Sequence, residues 1–224
     1  MAHTPLRSDS VAPTLHVYLE GDGRPWSRWN TPTQNPNSHS LTALQLMQLD
    51  TAPSVYLNRP CYGLNRIPAA CKNMYWTSAR YGQEVVHAMN QGINQLKQRY
   101  NTQKLVLVGH SGGGTLAMLL AAQRPDVTAV ITLAANLDHR AWTDYFGYLP
   151  LTESLNAIDA KLPNNVLRWH YAGGEDQQVP AKMIAAAVQN DPYARYQLLP
   201  GFDHQCCWQE IWPEILHSLK SKSN

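Results

Sequence analysis

Short apolar runs alternate along this chain with longer segments in which apolar positions recur every three to four residues. LHVYLEG (Leu15 to Gly21) and SVYLNRP (Ser54 to Pro60) read as strands. Apolar positions at Tyr81, Val85, Met89, Ile93, Leu96 and Tyr100 predict a helix over 77–100, with Thr77 or Ser78 able to cap its start. KLVLVGH (Lys104 to His110) is a continuous apolar run, as expected of a strand buried on both faces of a parallel sheet. The glycines at 112–114 open a mostly apolar helix that stops at Arg124-Pro125-Asp126. VTAVITLAA (Val127 to Ala135) and VLRWHYAGG (Val166 to Gly174) are further strands, separated by an irregular, aromatic-rich stretch from 136 to 165. A helix from about Pro180 to Asn190 leads to ARYQLLPG (Ala194 to Gly201), the last strand. The closing segment puts Trp208, Ile211, Trp212, Ile215, Leu216 and Leu219 on one helical face, with Pro213 expected near the first turn or at a kink.

Strand and helix in repeated alternation predict an α/β protein: a mostly parallel sheet with helices on both faces, a three-layer α/β/α sandwich. In such sheets ligands meet the residues that follow the strands. The chain has 224 residues, 44% of them hydrophobic, which suits a single domain over 1–224. No Gly/Ser linker, charge run or repeat divides it. Its 18 basic and 16 acidic residues are scattered, which argues against a nucleic-acid footprint. No apolar run approaches the roughly 18–20 residues that span a bilayer, and MAHTPLRSDS at the start holds no apolar signal core. A cytoplasmic protein and a mature form that has lost its signal both fit.

The four cysteines bear on the chemistry. Cys61 and Cys71 flank a loop containing Pro, Gly and Asn, where a disulfide is sterically easy. Cys206 and Cys207 follow His204 in GFDHQCCW. Neither pair is CxxC, no zinc signature is completed, and adjacent cysteines rarely chelate one ion comfortably, so no metal is expected.

After the third strand stands GHSGG, Gly109 to Gly113, which fits G-x-S-x-G. A serine on a sharp strand-to-helix turn is held exposed, and small neighbours at 109 and 113 prevent clashes with the adjacent strand and helix. Gly112 N–H and the helix N-terminus would then favour negative charge beside Ser111. Glycine-rich turns also bind phosphate, but neither a G-x-x-x-x-G-K-[ST] nor a G-x-G-x-x-G stands here. A serine hydroxyl needs a base and an orienting acid. Of nine histidines, His16 and His170 lie within strands, His87 and His217 on helices, and His3 and His39 in polar sequence. His110 precedes the serine and should face another way. His139 and His204 follow strand ends, and only His204 also follows an acid placed after another strand. That acid is Asp176, after Val166 to Gly174; Asp138 is the rival, Glu175 reads as solvated and Asp203 as a loop or capping residue.

The order Ser111, Asp176, His204, with GHSGG, DQQVP (Asp176 to Pro180) and GFDH (Gly201 to His204), resembles the α/β-hydrolase superfamily from about residue 14 to the end. YLEGDG, LNRPC, YWTSARYG, GHSGGG and NLDH together resemble a little-characterised group of bacterial α/β-hydrolases. Members of that group often carry an export or lipoprotein signal, which tilts the expectation toward a periplasmic or exported protein. The resemblance implies an N-terminally shortened α/β-hydrolase fold, its two leading strands missing or reduced, with 137–165 as a small cap.

LEGDG departs from the superfamily's H-G-x-G: Glu20 stands where His is usual, followed by Asp22. The donor at this place is a backbone N–H, so Asp22 and Gly112 can still form an oxyanion hole. The acid side chains must then turn away or pair with a cation such as Arg24 or Arg59. Trp26 and Trp29 after this loop, and Trp142 and Tyr145 in the cap, are candidate pocket walls, with Phe146, Tyr148 and Leu149 nearby. Nothing in the sequence marks a phosphate- or carboxylate-binding arginine cluster. The implied activity is a serine carboxylesterase acting on small-molecule esters with no cofactor. Thioester, amide or acyl-transfer chemistry and a catalytically silent binding scaffold remain alternatives.

Overall fold

The structure, a computed structural model, describes residues 14–27 and 31–222. Six strands form one sheet: β1 (Leu15–Leu19), β2 (Ser54–Tyr56), β3 (Leu105–His110), β4 (Val127–Leu133), β5 (Leu167–Gly173) and β6 (Ala194–Leu199). All pairings are parallel, in the order β2-β1-β3-β4-β5-β6. The chain therefore lays β2 on one side of β1 and returns to place β3 on the other. That reversal opens a crevice beyond the ends of β1 and β3, where open α/β sheets bind ligands. The register pairs Leu19 with Gly109, so the loop after β1 lies beside the turn after β3.

Side-chain alternation along the strands builds two cores. Leu15, Val17, Leu105 and Leu107 face α2 (Gln83–Tyr100) and α3 (Gly112–Ala121), meeting Val85, Met89, Ile93, Leu116 and Leu120. Tyr18, Val106, Val108 and Ile131 face α1 (Thr42–Gln48) and α6 (Trp208–Lys222), meeting Leu46, Trp208, Trp212 and Ile215. Every residue of α3 is buried, as its almost wholly apolar sequence requires. α5 (Ala181–Val188) adds Ile184 and Val188 to the first core.

Three features differ from the sequence expectation. The helix expected from 77 begins at Gln83, after a 3-10 turn at Asn73–Trp76. Thr77 donates its hydroxyl to Asn73 O and Gly82 occupies the cap position without a side-chain bond, so neither Thr77 nor Ser78 caps α2. The intervening turn points Arg80 and Tyr81 toward the end of β1. The stretch 136–165 is not wholly irregular: it holds α4 (His139–Phe146), which Asp138 caps by accepting from the Arg140 and Ala141 N–H groups. α1 had no counterpart in the pattern, because seven residues give too short a periodic window. Pro213 sits inside α6.

Candidate active site

Ser111 alone separates β3 from α3, and its backbone lies at φ 53°, ψ −125°. A non-glycine residue in that region is strained and persists only where its surroundings hold it. Here Ser111 N–H donates to Leu133 O at 2.9 Å and Gly114 N–H to Ser111 O at 2.9 Å. A Cβ at Gly109 would overlap the Gly113 carbonyl, and one at Gly113 would overlap the Leu19 carbonyl. The G-x-S-x-G spacing thus reflects two close backbone approaches.

His204 comes from the loop between β6 and α6. Its Nε2 lies 3.0 Å from Ser111 Oγ and its Nδ1 2.8 Å from Asp176 Oδ2. Asp176, in the turn after β5, is buried, and its Oδ1 accepts the Gln178 and Val179 N–H groups at 2.8 Å each. With both oxygens engaged, this carboxylate holds the His204 ring in one orientation. Asp138 points elsewhere: besides capping α4 it accepts from Asn156 Nδ2 at 2.6 Å. Asp203 closes its own loop through the Gln205 and Cys206 N–H groups, and Glu175 is exposed. His110 takes no part in the Ser111 contact, but its ring packs 5.0 Å from that of His204 and its Nε2–H donates to the His204 carbonyl at 2.7 Å.

The loop after β1 supplies the opposite wall. A Cβ on Gly21 would stand 3.5 Å from Ser111 Oγ, which shows how closely this backbone passes the serine. Among the described residues no acceptor takes the Asp22 N–H or the Gly112 N–H. The Asp22 carboxylate is heavily engaged: it accepts from Arg59 Nη1 at 2.5 Å, Arg80 Nη1 at 3.0 Å and Tyr81 O–H at 2.5 Å. Burial pushes its carboxyl up, but the Arg59 and Arg80 charges and the Tyr81 hydroxyl outweigh that and hold it at about 2. Glu20 turns to the start of α1, accepting from Ala43 N at 3.1 Å and lying 3.5 Å from His110 Nδ1. Of the two cations proposed for these acids Arg59 is present, whereas among the described residues Arg24 contributes only its backbone N–H, to Pro36 O. Arg80 was hidden in what reads as helix. The two arginines meet at the Asp22 carboxylate, a pairing that nothing in the sequence marked.

A cavity of about 220 Å³ opens over Ser111, walled in part by Ser38, Ser40, Arg80, Trp142, Gln178 and Gln205.

A family model for the alpha/beta hydrolase fold matches residues 26–189. The chain belongs to the alpha/beta hydrolase fold family. Solved structures are similar in fold at low identity. Est1E from Butyrivibrio proteoclasticus, solved with ferulic acid bound, is 14% identical, with a TM-score of 0.64 over 94% of this chain and 88% of that one. The mouse alpha/beta hydrolase domain-containing protein 10 is 14% identical, with a TM-score of 0.61 over 99% and 98%. The esterase Pf2001 of Pyrococcus furiosus is 13% identical, with a TM-score of 0.62 over 94% and 81%. No curated protein matches the chain in sequence.

Within this alpha/beta hydrolase the aromatic candidates divide. Trp142 lines the cavity and is fixed there by donating Nε1–H to Gln178 O at 2.8 Å. Trp26 does not line it: residue 26 forms an isolated bridge with Pro32, and its side chain lies at the surface. Tyr145 is also outside, 53% exposed, its ring edge-on to Phe146 and under Lys182 Nζ at 4.3 Å. Trp29 lies outside the described residues. Cys61 and Cys71 stand at disulfide distance, and so do Cys206 and Cys207. Among the described residues no three His, Cys, Asp or Glu side chains cluster to hold a metal ion.

Proposed function

We propose that this alpha/beta hydrolase is a serine hydrolase that cleaves small carboxylic esters through an acyl-enzyme. The observation that carries the reading is the hydrogen-bonded series from Ser111 Oγ through His204 to Asp176, at 3.0 and 2.8 Å. His204 Nε2 takes the Ser111 proton as Oγ attacks the ester carbonyl, while Asp176 holds Nδ1–H and stabilises the imidazolium. The oxyanion of the tetrahedral intermediate accepts from the Asp22 and Gly112 N–H groups, neither of which has another acceptor among the described residues. Collapse expels the alcohol, protonated by His204, and leaves Ser111 acylated. Water deprotonated by His204 then attacks the acyl carbon, and the acid leaves as Ser111 regains its proton.

Small esters suit the site because its cavity, about 220 Å³, falls below the usual roughly 300–1,000 Å³ of drug-sized pockets. The segment 137–165, which contributes Trp142, serves in this reading as a small cap over the acyl site. The esterase names of structural neighbours agree with ester chemistry. Turnover of p-nitrophenyl acetate and butyrate, with fluorophosphonate labelling, tests the reading. Wild type should turn over and label, and Ser111→Ala should lose label and at least about 10⁴-fold in kcat. Equal turnover by Ser111→Ala would end it.

A further inference from the structure

A negative charge beside a developing oxyanion opposes it, yet Asp22, one of the two proposed donors, carries a carboxylate into the site. That carboxylate borders both donors: a Cβ on Gly112 would overlap Asp22 Oδ1. An acid so placed disables the site unless something answers its charge.

Two cations answer it, although one would complete an ion pair. Arg59 and Arg80 are both buried, at 3% and 4% exposure. Arg59 gives Nη1 to Asp22 Oδ1 and Nη2 to the Arg80 carbonyl at 2.7 Å. Its guanidinium lies 5.2 Å from the Tyr62 ring centroid and 5.4 Å from that of Tyr81. Arg80 gives Nη1 to Asp22 Oδ2 and Nε to Thr77 O at 2.8 Å. Tyr62 O–H donates to the Asp22 carbonyl at 3.0 Å, so the residue is gripped at side chain and main chain alike. Burying a second guanidinium costs desolvation that holding a loop does not require. Within the Asp22, Arg59 and Arg80 group the surplus is one positive charge, against the wall where the reaction would place one negative charge; the Glu20 carboxylate of the same loop turns away to the Ala43 N–H and His110.

We propose that Arg59 and Arg80 are positioning residues of the oxyanion hole: through Asp22 they aim its N–H at the developing oxyanion, and together they turn an opposing carboxylate into an anchor with net positive charge behind it. The proposal rests on the serine-hydrolase reading. It gives the Asp22 side chain a use at this position, since the acid is what binds the two arginines to the donor peptide.

The test is steady-state kinetics on p-nitrophenyl butyrate with folded Arg80→Gln, Arg80→Lys, Arg59→Gln and the double variants adding Asp22→Asn, with folding checked by circular dichroism. Arg80→Gln should lower kcat by about 10–100-fold with KM within about twofold, because ground-state binding does not use the oxyanion hole. Arg80→Lys should recover part of that loss by restoring charge. Adding Asp22→Asn to Arg80→Gln should recover about tenfold, because the unanswered carboxylate is gone. Arg59→Gln, alone and with Asp22→Asn, carries the same comparison should Arg80→Gln fail to fold. Three results would overturn the proposal: no recovery on adding Asp22→Asn, a loss in KM rather than kcat, or a loss confined to carboxylate-bearing esters such as p-nitrophenyl hemisuccinate, which would make Arg80 a substrate-binding group. Failure of the underlying reading looks different, since wild type would then show no Ser111-dependent turnover at all.

Discussion

Asp176 and Asp138 both follow strands on the same sheet edge, and hydrogen bonding alone separates their roles. Asp176 has one oxygen for His204 Nδ1–H and the other for two backbone N–H groups. In Asp176→Asn the amide oxygen can keep those N–H groups, which leaves the NH₂ facing His204 Nδ1. The imidazole must then accept at Nδ1 and carry its proton on Nε2, where it cannot take the serine's. Kcat should fall about 10³–10⁴-fold with KM little changed. Asp138→Ala should leave turnover within about threefold and cost about 1 kcal/mol of stability through the lost cap of α4. Paired kinetics and urea melts on the two variants check this, and a comparable kinetic loss in both would void the assignment. The meeting of Ser111, Asp176 and His204 was legible because each of the three follows a strand and their order is distinctive. Arg80 was not, since it lies next to Tyr81 at the head of an apolar periodicity and reads as a solvent-facing helix position. Trp26 and Tyr145 misled for the converse reason: sequence proximity to a site loop does not say which way a ring turns.

At the scale of elements, the loop between β2 and α2 delivers Arg59 and Tyr62 to the end of β1, and Cys61 and Cys71 stand at disulfide distance within it. Closing so short a loop removes unfolded-state freedom worth about 2–3 kcal/mol. For a chain of this size that corresponds to a Tm roughly 5–10 °C higher. The Cys61→Ala/Cys71→Ala variant should therefore melt lower by about that amount. It should also lose kcat more than KM, because Tyr62, next to Cys61, holds the Asp22 carbonyl. Calorimetry under oxidising and reducing conditions gives the check: wild type should drop to the variant's Tm on reduction, and an unmoved wild type would show that the pair contributes nothing. The shortened α2 belongs to the same story. Hydrophobic periodicity continues back to Tyr81, but Arg80 and Tyr81 are drawn to Asp22, and the helix starts only after Gly82. Tertiary hydrogen bonding overrides local pattern here.

Across the whole molecule, the parallel sheet was readable from continuous apolar runs, whereas strand order was not, because hydrophobic pattern carries no information on which strands are neighbours. Residues that follow parallel strands gather at one edge in any order, which is why the candidate site could be assembled before the topology was known. The same burial that makes the strands readable also sets an acid limit on the fold. His170 in β5 is 1% exposed, with Nδ1 2.9 Å from Thr132 Oγ1. Burial, helped by Arg168 and partly opposed by Asp191, holds its imidazole at about 4, against about 6.5 for a free histidine. Above pH 6.5 the ring is neutral folded and unfolded, so stability is fully present there. Between about 6.5 and 4 only the unfolded chain takes up the proton, and stability falls by about 1.4 kcal/mol per pH unit, about 3 kcal/mol in all. Asp22, held at about 2, extends the decline at lower pH: its stabilisation is present above about 3.8 and is lost as pH falls through 2. Urea midpoints at pH 7.5, 5.5 and 4.5 should trace the first stage in wild type. His170→Gln should flatten it by most of that 3 kcal/mol while leaving the lower-pH stage in place. An unchanged slope in His170→Gln would place the acid-sensitive group elsewhere, with His139, also lowered by burial, the next to replace.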